Sequence, residues 1–552
     1  MRGYVALSWT ASDVASRSLA RAIQERAVSE GFRAVEVSRC AWVGVQGPRP
    51  PAVHRPRTGC LVIGEVFGHP APLPGHASVG SDLEVANWYA CNRWGRYILL
   101  FQKTGGGIRA IFRDPSGALE ALNWKSGGVQ VVAAHTPDWL MAAAPPKIGF
   151  DWDRLSQLVA SPFTVDQRPA IRGLASVAAG ELMAVSGDRK LLWRPEAFAQ
   201  QPVWERRKAS EGLRETLDLC VSALAGQTSL GVELSGGLDS SIIGGTLGDL
   251  GKPVSLALNT RSDRVETDEQ AFAEAVAGRL GMTLTRRERL DIPYTADLFE
   301  ATADGPVPSQ NGRDLTNDRV VVDACQEAGV TTLMTGKGGD ALFFQMPTPL
   351  AFADLWWRRP LRGLGSALLP GTARWTRTST WSVLASARES RRVSGATELP
   401  PAKLIQLDAI KSGMAYYSRC LRTEAVDMVH PLMAQPLVEW ALRTPVPLLV
   451  SGGRDRALAR KTFADRLPEA VATRQGKGDY GTYFNRQVAA NLPFLRSYLL
   501  DGRLASEGVL DRTALEPRLQ ADALRWQGGA PEILSAVSTE AWVRRWARRG
   551  AR

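Results

Sequence analysis

Cysteine and histidine are both scarce in this sequence. Its 552 residues include six cysteines and five histidines. Cys40, Cys60, Cys91, Cys220, Cys325 and Cys420 are scattered, with no CxxC and no Cys/His pair at metal spacing, so neither a disulfide framework nor a zinc site is indicated. A reducing, cytoplasmic setting fits that usage. No run of 18 apolar residues occurs, and the opening MRGYVALSWTASDVASR lacks the apolar stretch and small-residue cleavage site of a secretory signal. Neither secretion nor a membrane partner is expected. RNP1, C2H2-finger and KH-type GXXG signatures are missing too, so nucleic acid is not the expected partner.

What is present is the composition of a globular chain. Hydrophobic residues make up 44% and charged residues 22%, and the length suits two large α/β units. Lys and Arg number 67 against 56 Asp and Glu, a formal charge of +11 that serves only solubility if spread evenly. Two stretches concentrate it. RRWARRGAR holds Arg544, Arg545, Arg548, Arg549 and Arg552 beside Trp542 and Trp546, and LWWRRPLRG runs from Leu355 to Gly363. Either suits an acidic polymer, an acidic peptide or another protein.

The N-terminal region reads as short apolar runs broken by turns, with Pro/Gly-rich loops at 47–59 and 68–80, which suits antiparallel β or α+β structure. RYILLFQKTGGGIRAIFRD, Arg96 to Asp114, is its clearest hairpin. From about Glu205 helices alternate with short apolar strands. A helix over Ser210 to Gly226 is followed by a strand over Thr228 to Leu234 and a helix over Ser240 to Leu250. PVSLALN, DEQAFAEAVAGRLG, MTLTRRERL, LTNDRVVVDACQEAG and TTLMT continue the rhythm, which implies βαβ units and a parallel sheet. Beyond Ala341 the chain reads as mainly helical, and no internal repeat is visible.

Two loops carry the chemistry. VELSGGLDSS places Ser235, Gly236, Gly237, Asp239 and Ser240 between a strand and a helix. Adjacent glycines permit a tight turn and close approach to a ligand, and the N–H groups at the helix start form a cup for phosphates. A carboxylate there, Asp239, makes sense beside phosphate mainly through Mg²⁺; an ordinary turn with Asp239 as helix cap is the bland alternative. GxxxxGK[ST] is absent, and Glu233 stands where a nucleophile elbow needs glycine. The second loop, MTGKGGDALFF, again follows a strand and offers Asp340. Two strand ends would then present their loops to one triphosphate, with Asp239 and Asp340 sharing the metal.

SGGLDSS resembles the pyrophosphate-loop signature of ATP pyrophosphatases, and the wider chain resembles the asparagine synthetase superfamily. The matching segments are LSGGLDSS, SLALN, TDEQAFAEAVAGRLG, TGKGGDALF, HPLMAQPLVEWAL and KTFADRLPEAVATRQGKG, with WGRYILLF, RDPSGALEAL and IRGLASVAAGEL in the N-terminal part. The resemblance implies a glutaminase-like (Ntn-type) α+β sandwich over 1–204. It implies an α/β pyrophosphate-loop ATP pyrophosphatase domain over 205–552, with a parallel sheet and a helical C-terminal extension. ATP and Mg²⁺ are the implied cofactors. Leu234, Ser235, Gly236, Gly237, Asp239, Ser240, Leu258, Thr335, Gly336 and Gly338 would bind nucleotide, and Asp239 and Asp340 the metal. Lys477 is the implied catalytic lysine, neutralising charge on the α-phosphate and acyl oxygen; the alternative is a solvated turn lysine.

Departures from the family narrow the substrate. Arg2 stands where glutamine-using members have a cysteine nucleophile, and motifs of the NGExYN kind are missing, so glutamine is not the expected ammonia source. Lys337 followed by GGDALF resembles the GxGGDxLF form of lasso peptide cyclases rather than the acidic GEGSDE of asparagine synthetases. The resemblance implies an ATP-dependent ligase that adenylates an Asp or Glu side chain of a leader-free linear core peptide. It then closes a macrolactam with the peptide's N-terminal amine. A leader-recognition protein and a leader peptidase are the implied partners. An ammonia-dependent asparagine synthetase or a β-lactam synthetase-like enzyme is the nearest alternative, and a non-catalytic scaffold or a tRNA-modifying enzyme a more distant one. Trp356, Trp357, Trp375 and Trp381 either line a peptide cavity or pack as core. Ala434 and Gln435 occupy the family's Leu-Asp pair, which leaves no copied role there.

Overall fold

The computed structural model describes residues 3–552 except 57–58, 69–80, 105, 162–167, 227–228, 262–268, 290, 310, 312–313, 394–398 and 475–480. Strand alternation builds the N-terminal part. In Gly3–Ser8, Tyr4 and Ala6 point into one core and Val5 and Leu7 into another. In Trp94–Gln102, Ile98 and Leu100 join the first of these, whereas Tyr97, Leu99 and Phe101 pack under the helix Asp82–Asn92. Two six-stranded antiparallel sheets therefore face each other across a shared core, with the helices Val14–Ser29 and Asp82–Asn92 on the outer faces. The hairpin expected from Arg96 to Asp114 is present as Trp94–Gln102 against Ile108–Arg113.

The second part holds a five-stranded, all-parallel sheet in the order Leu284–Glu288, Leu256–Arg261, Leu230–Glu233, Thr332–Met334, Asp427–Val429. Four of these strands follow the alternation read from the sequence. The fifth, Asp427–Val429, corrects the reading of the region beyond Ala341 as mainly helical. Three residues are too few to show a period, and this strand exists through its ladder to Thr332–Met334. Chain order reverses at Leu230–Glu233, so the loops leaving Leu230–Glu233 and Thr332–Met334 open side by side at the switch point of the sheet.

Buried charge ties the two parts together. The Arg96 guanidinium donates to both carboxylate oxygens of Asp427, at 2.9 and 3.1 Å, and to Glu65 at 2.7 Å. Gln435 donates to the Ala90 carbonyl at 2.9 Å and to Glu439, which also accepts from Trp193. The departure at Gln435 is thus a contact between the two parts. Four arginines of the arginine-rich end are likewise bound within the protein. Trp542 and Trp546 are fully buried, Arg545 and Arg549 pair with Asp138, Arg548 with Glu300, and the Arg552 carbonyl accepts from the Phe150 N–H at 3.0 Å.

A cavity of about 170 Å³ lies between the parts, walled by Arg96, Leu122 and His135 from one and Val307, Met414 and Tyr417 from the other. None of Trp356, Trp357, Trp375 and Trp381 lines it. The first three pack against the cluster around Phe352 and Val383, and Trp381 is 76% exposed. Their alternative reading, as core, holds for three of the four.

Asp427→Ala leaves Arg96 buried beside one carboxylate fewer and lowers unfolding stability by about 3–5 kcal/mol in urea denaturation. Arg96→Met/Asp427→Leu recovers most of that loss.

Candidate functional site

The helix Leu238–Asp249 is buried on nearly every side, which is why its sequence, LDSSIIGGTLGD, has no polar face. Its start is fixed by the serines of the preceding loop. The Ser235 N–H donates to Ser240 Oγ at 3.1 Å, the two hydroxyls lie 3.0 Å apart, and Ser241 Oγ donates to the Gly237 carbonyl at 2.8 Å. Asp239 sits in the first turn, where the helix dipole favours a carboxylate. Leu234 and Leu258 are fully buried side chains on the adjoining strands, joined by the Leu234 N–H to the Leu258 carbonyl at 2.7 Å. They enter the core, not an open cleft.

The second loop is pinned to the last strand. The Thr335 N–H donates to the Val429 carbonyl at 3.0 Å, and Thr335 Oγ1 lies 2.7 Å from His430 Nδ1. Gly338 adopts φ +94° and caps the short helix Gly339–Leu342, which carries Asp340. The two loops touch through glycine. A Cβ on Gly336 would stand 2.3 Å from the Ser240 nitrogen, and one on Gly339 2.3 Å from Asp239 Cγ. Only the absence of side chains lets the loops close on each other.

That closure brings Asp239 and Asp340 to one point. Nη1 of Arg456 lies 3.1 Å from Asp239 Oδ2 and 3.1 Å from Asp340 Oδ1. Arg456 is buried and holds a left-handed backbone, φ 52° and ψ 29°, at the start of the helix Ala457–Thr462. A non-glycine residue in that region costs about 1–3 kcal/mol, which the ion pairs at its side chain offset. Arg474 braces the first loop, donating to the Gly236 carbonyl at 3.2 Å and to Glu269 Oε1 at 2.5 Å, with its guanidinium 4.4 Å from the Phe272 ring centroid. Arg474 lies within the matching segment KTFADRLPEAVATRQGKG, whereas Arg456 belongs to no pattern visible in the sequence. Arg456 lies 217 positions from Asp239, and only the fold brings them together.

Lys337 turns away from the carboxylates. Its Nζ donates to Asn311 Oδ1 at 3.1 Å and sits 5.2 Å from the Tyr416 ring centroid. Burial, reinforced by Arg422, pulls its pKa down to about 8, against the opposing pull of Glu233, Cys420 and Asp318. The Tyr416 hydroxyl, on the ring that Lys337 faces, has its pKa raised by burial and by the charges of Asp340 and Asp239. Lys477 lies outside the described residues, three positions beyond Arg474.

Among the described residues no group of three or more His, Cys, Asp or Glu side chains gathers. Two carboxylates converging on one cation fit Mg²⁺ in its usual nucleotide role, in which one or two protein carboxylates are supplemented by phosphate oxygens and water. The hard oxygen donors of Asp239 and Asp340 match that ion. The asparagine synthase family model matches residues 212–544, more than half of the chain. The chain belongs to the asparagine synthase family. Membership makes it, in general terms, an ATP-dependent amide-forming ligase of a family that uses ATP with Mg²⁺. A comparison with curated proteins gives no match. Solved structures similar to this synthase-family chain include the allosteric regulatory enzyme of purine biosynthesis, at 12% identity and TM-score 0.18, covering 60% of this chain and 74% of that one. Glutamine phosphoribosylpyrophosphate amidotransferase from B. subtilis, complexed with ADP and GMP, is 11% identical at TM-score 0.17, covering 61% and 75%.

Two outcomes follow from this geometry. Gly339→Ala drives a methyl group into Asp239, so Mg²⁺·ATP affinity measured by calorimetry falls at least ten-fold, with the far-ultraviolet circular dichroism unchanged. Lys337 is protonated in the unfolded chain up to its ordinary pKa but loses its proton in the folded protein near pH 8. Its burial therefore costs stability below about pH 8, and that cost fades as pH rises towards the unfolded value. Lys337→Met is accordingly more stable than the parent at pH 7, with a margin that shrinks by pH 9.5 in thermal melts.

Proposed function

We propose that this synthase-family protein is an ATP-dependent lasso peptide cyclase. It activates an Asp or Glu side chain of a linear, leader-free core peptide as the acyl adenylate. It then joins that acyl group to the peptide's own N-terminal amine, releasing AMP and pyrophosphate. The observation that carries the ATP chemistry is the convergence of Asp239 and Asp340 on Arg456 Nη1 at the switch point of the parallel sheet. The GKGGDALF form of the second loop, with Lys337 in place of an acidic residue, supports the peptide-cyclising reading over asparagine synthesis.

The residues divide the work. Ser235, Gly236, Gly237 and Ser240, with the helix start behind them, receive the leaving pyrophosphate. Asp239 and Asp340 would hold Mg²⁺, which neutralises phosphate charge as the α–β bond breaks. Arg456 holds the two carboxylates together, Arg474, paired with Glu269, steadies the first loop at the Gly236 carbonyl, and Lys477 serves the α-phosphate and acyl oxygen. Prior binding of both reacting ends to one site contributes about 7–11 kcal/mol through effective molarity.

We read residues 1–204 as the glutaminase-like domain in a structural and docking role, and 205–552 as the synthetase domain. The enzyme would act in the cytoplasm with a leader-recognition protein and a leader peptidase. Purified protein given Mg²⁺, ATP and leader-free core peptide should release AMP and pyrophosphate and yield a peptide lighter by one water. Asp239→Asn should lower that rate at least a hundred-fold. Asparagine formed from aspartate and ammonia, with the peptide unchanged, would overturn the reading.

A further inference from the structure

Residues 355–393 carry eight arginines, one glutamate and neither lysine nor aspartate, a net +7 within a chain of +11. Seven of those arginines, from Arg358 to Arg391, are exposed; none is in a salt bridge with a described residue, and only Arg358 has a carboxylate acting on it, the buried Asp354. The contrast with the other arginine-rich stretch is direct: Arg544, Arg545, Arg548 and Arg549 are each bound to Glu540, Asp138 or Glu300. Charge left unpaired on this scale repels itself unless an anionic surface receives it.

Apolar side chains stand among these cations. Leu361 is 87% exposed, Trp381 76% and Leu364 50%. They do not form one patch. Trp357 Nε1 donates to Ser390 Oγ at 3.3 Å, which places Leu361, just beyond the helix Leu350–Arg358, near the far end of the helix Thr380–Val393. Trp381 opens that helix nine residues earlier, about 13 Å away along the axis. Beneath, Phe352, Leu369 and Val383 anchor the helices in a buried cluster, so the exposed face is carried on a packed support.

We propose that this face docks peripherally on an anionic lipid bilayer. A protein interface gathers its apolar anchors into a dry centre inside a polar rim, and a nucleic acid offers phosphates but no apolar medium. A bilayer surface takes both groups without requiring them to be adjacent: arginines on headgroup phosphates, leucine and tryptophan at the acyl boundary. No helix among the described residues is long and apolar enough to cross a membrane, so the contact is one of surface only. The docking face is separate from the ligase reading and stands or falls apart from it.

The test is cosedimentation of the full chain with vesicles of 30% phosphatidylglycerol in phosphatidylcholine, alongside pure phosphatidylcholine vesicles and a double-stranded DNA oligonucleotide. Binding to the anionic vesicles only, lost in 0.5 M salt and about a hundred-fold weaker in Arg358→Gln/Arg362→Gln/Arg391→Gln, is the expected result. Leu361→Asp should weaken it independently, and brominated lipid should quench the parent more than Trp381→Phe. Vesicle binding that ignores these substitutions, absence of vesicle binding, or tighter binding to DNA at equal phosphate concentration each overturns the proposal. None of the substituted residues is held in a salt bridge with a described residue, and unchanged melting temperatures verify that the variants are folded.

Discussion

Contact between two glycine-lined loops is the constraint on which the site depends. Gly336 and Gly339 rest against the backbone of Ser240 and the side chain of Asp239, and no larger residue fits at either position. Strand order alone would leave two carboxylates in neighbouring crevices. The missing side chains bring them to a shared cation. Everything around that point is arranged to tolerate concentrated charge: a helix start, a left-handed arginine and a second guanidinium stacked on Phe272.

The same economy of charge governs the joint between the two parts. Arg96 is buried and bonded to Asp427 and Glu65, so the sandwich is fixed to the edge strand of the parallel sheet by directional bonds instead of by apolar area alone. Buried pairs of this type specify one orientation more than they stabilise it. Met414–Tyr417 borders the cavity between the parts with Met414 and Tyr417 and approaches Lys337 with Tyr416, so the joint and the nucleotide loops share a wall.

Much of this was legible in the sequence because glycine and serine spacing reports local backbone needs. SGGLDSS and TGKGGD announced two tight glycine turns that follow strands, and the alternation of apolar strands with helices announced the parallel sheet. Interactions carried by distant residues were not legible. Arg456 lies in SGGRDR, which has no periodicity or motif, and acquires its place through a backbone turn that sequence does not mark. Asp427–Val429 is a strand only because Thr332–Met334 lies beside it. The arginine-rich end looked like a free basic tail because its carboxylate partners, Asp138 and Glu300, are remote in the chain.

That interlocked end bears on how the polypeptide acquires its structure. Arg549 bonds to Thr136 across 413 positions, and Trp542 and Trp546 fill a core also lined by Val5, Leu7 and Phe150. The helix Val14–Ser29 covers the first sheet early, but the core around Phe150 is completed only when the helix Ala530–Arg548 packs against it. Contacts that span so much of the chain slow folding and lengthen the interval in which apolar surface is open to aggregation.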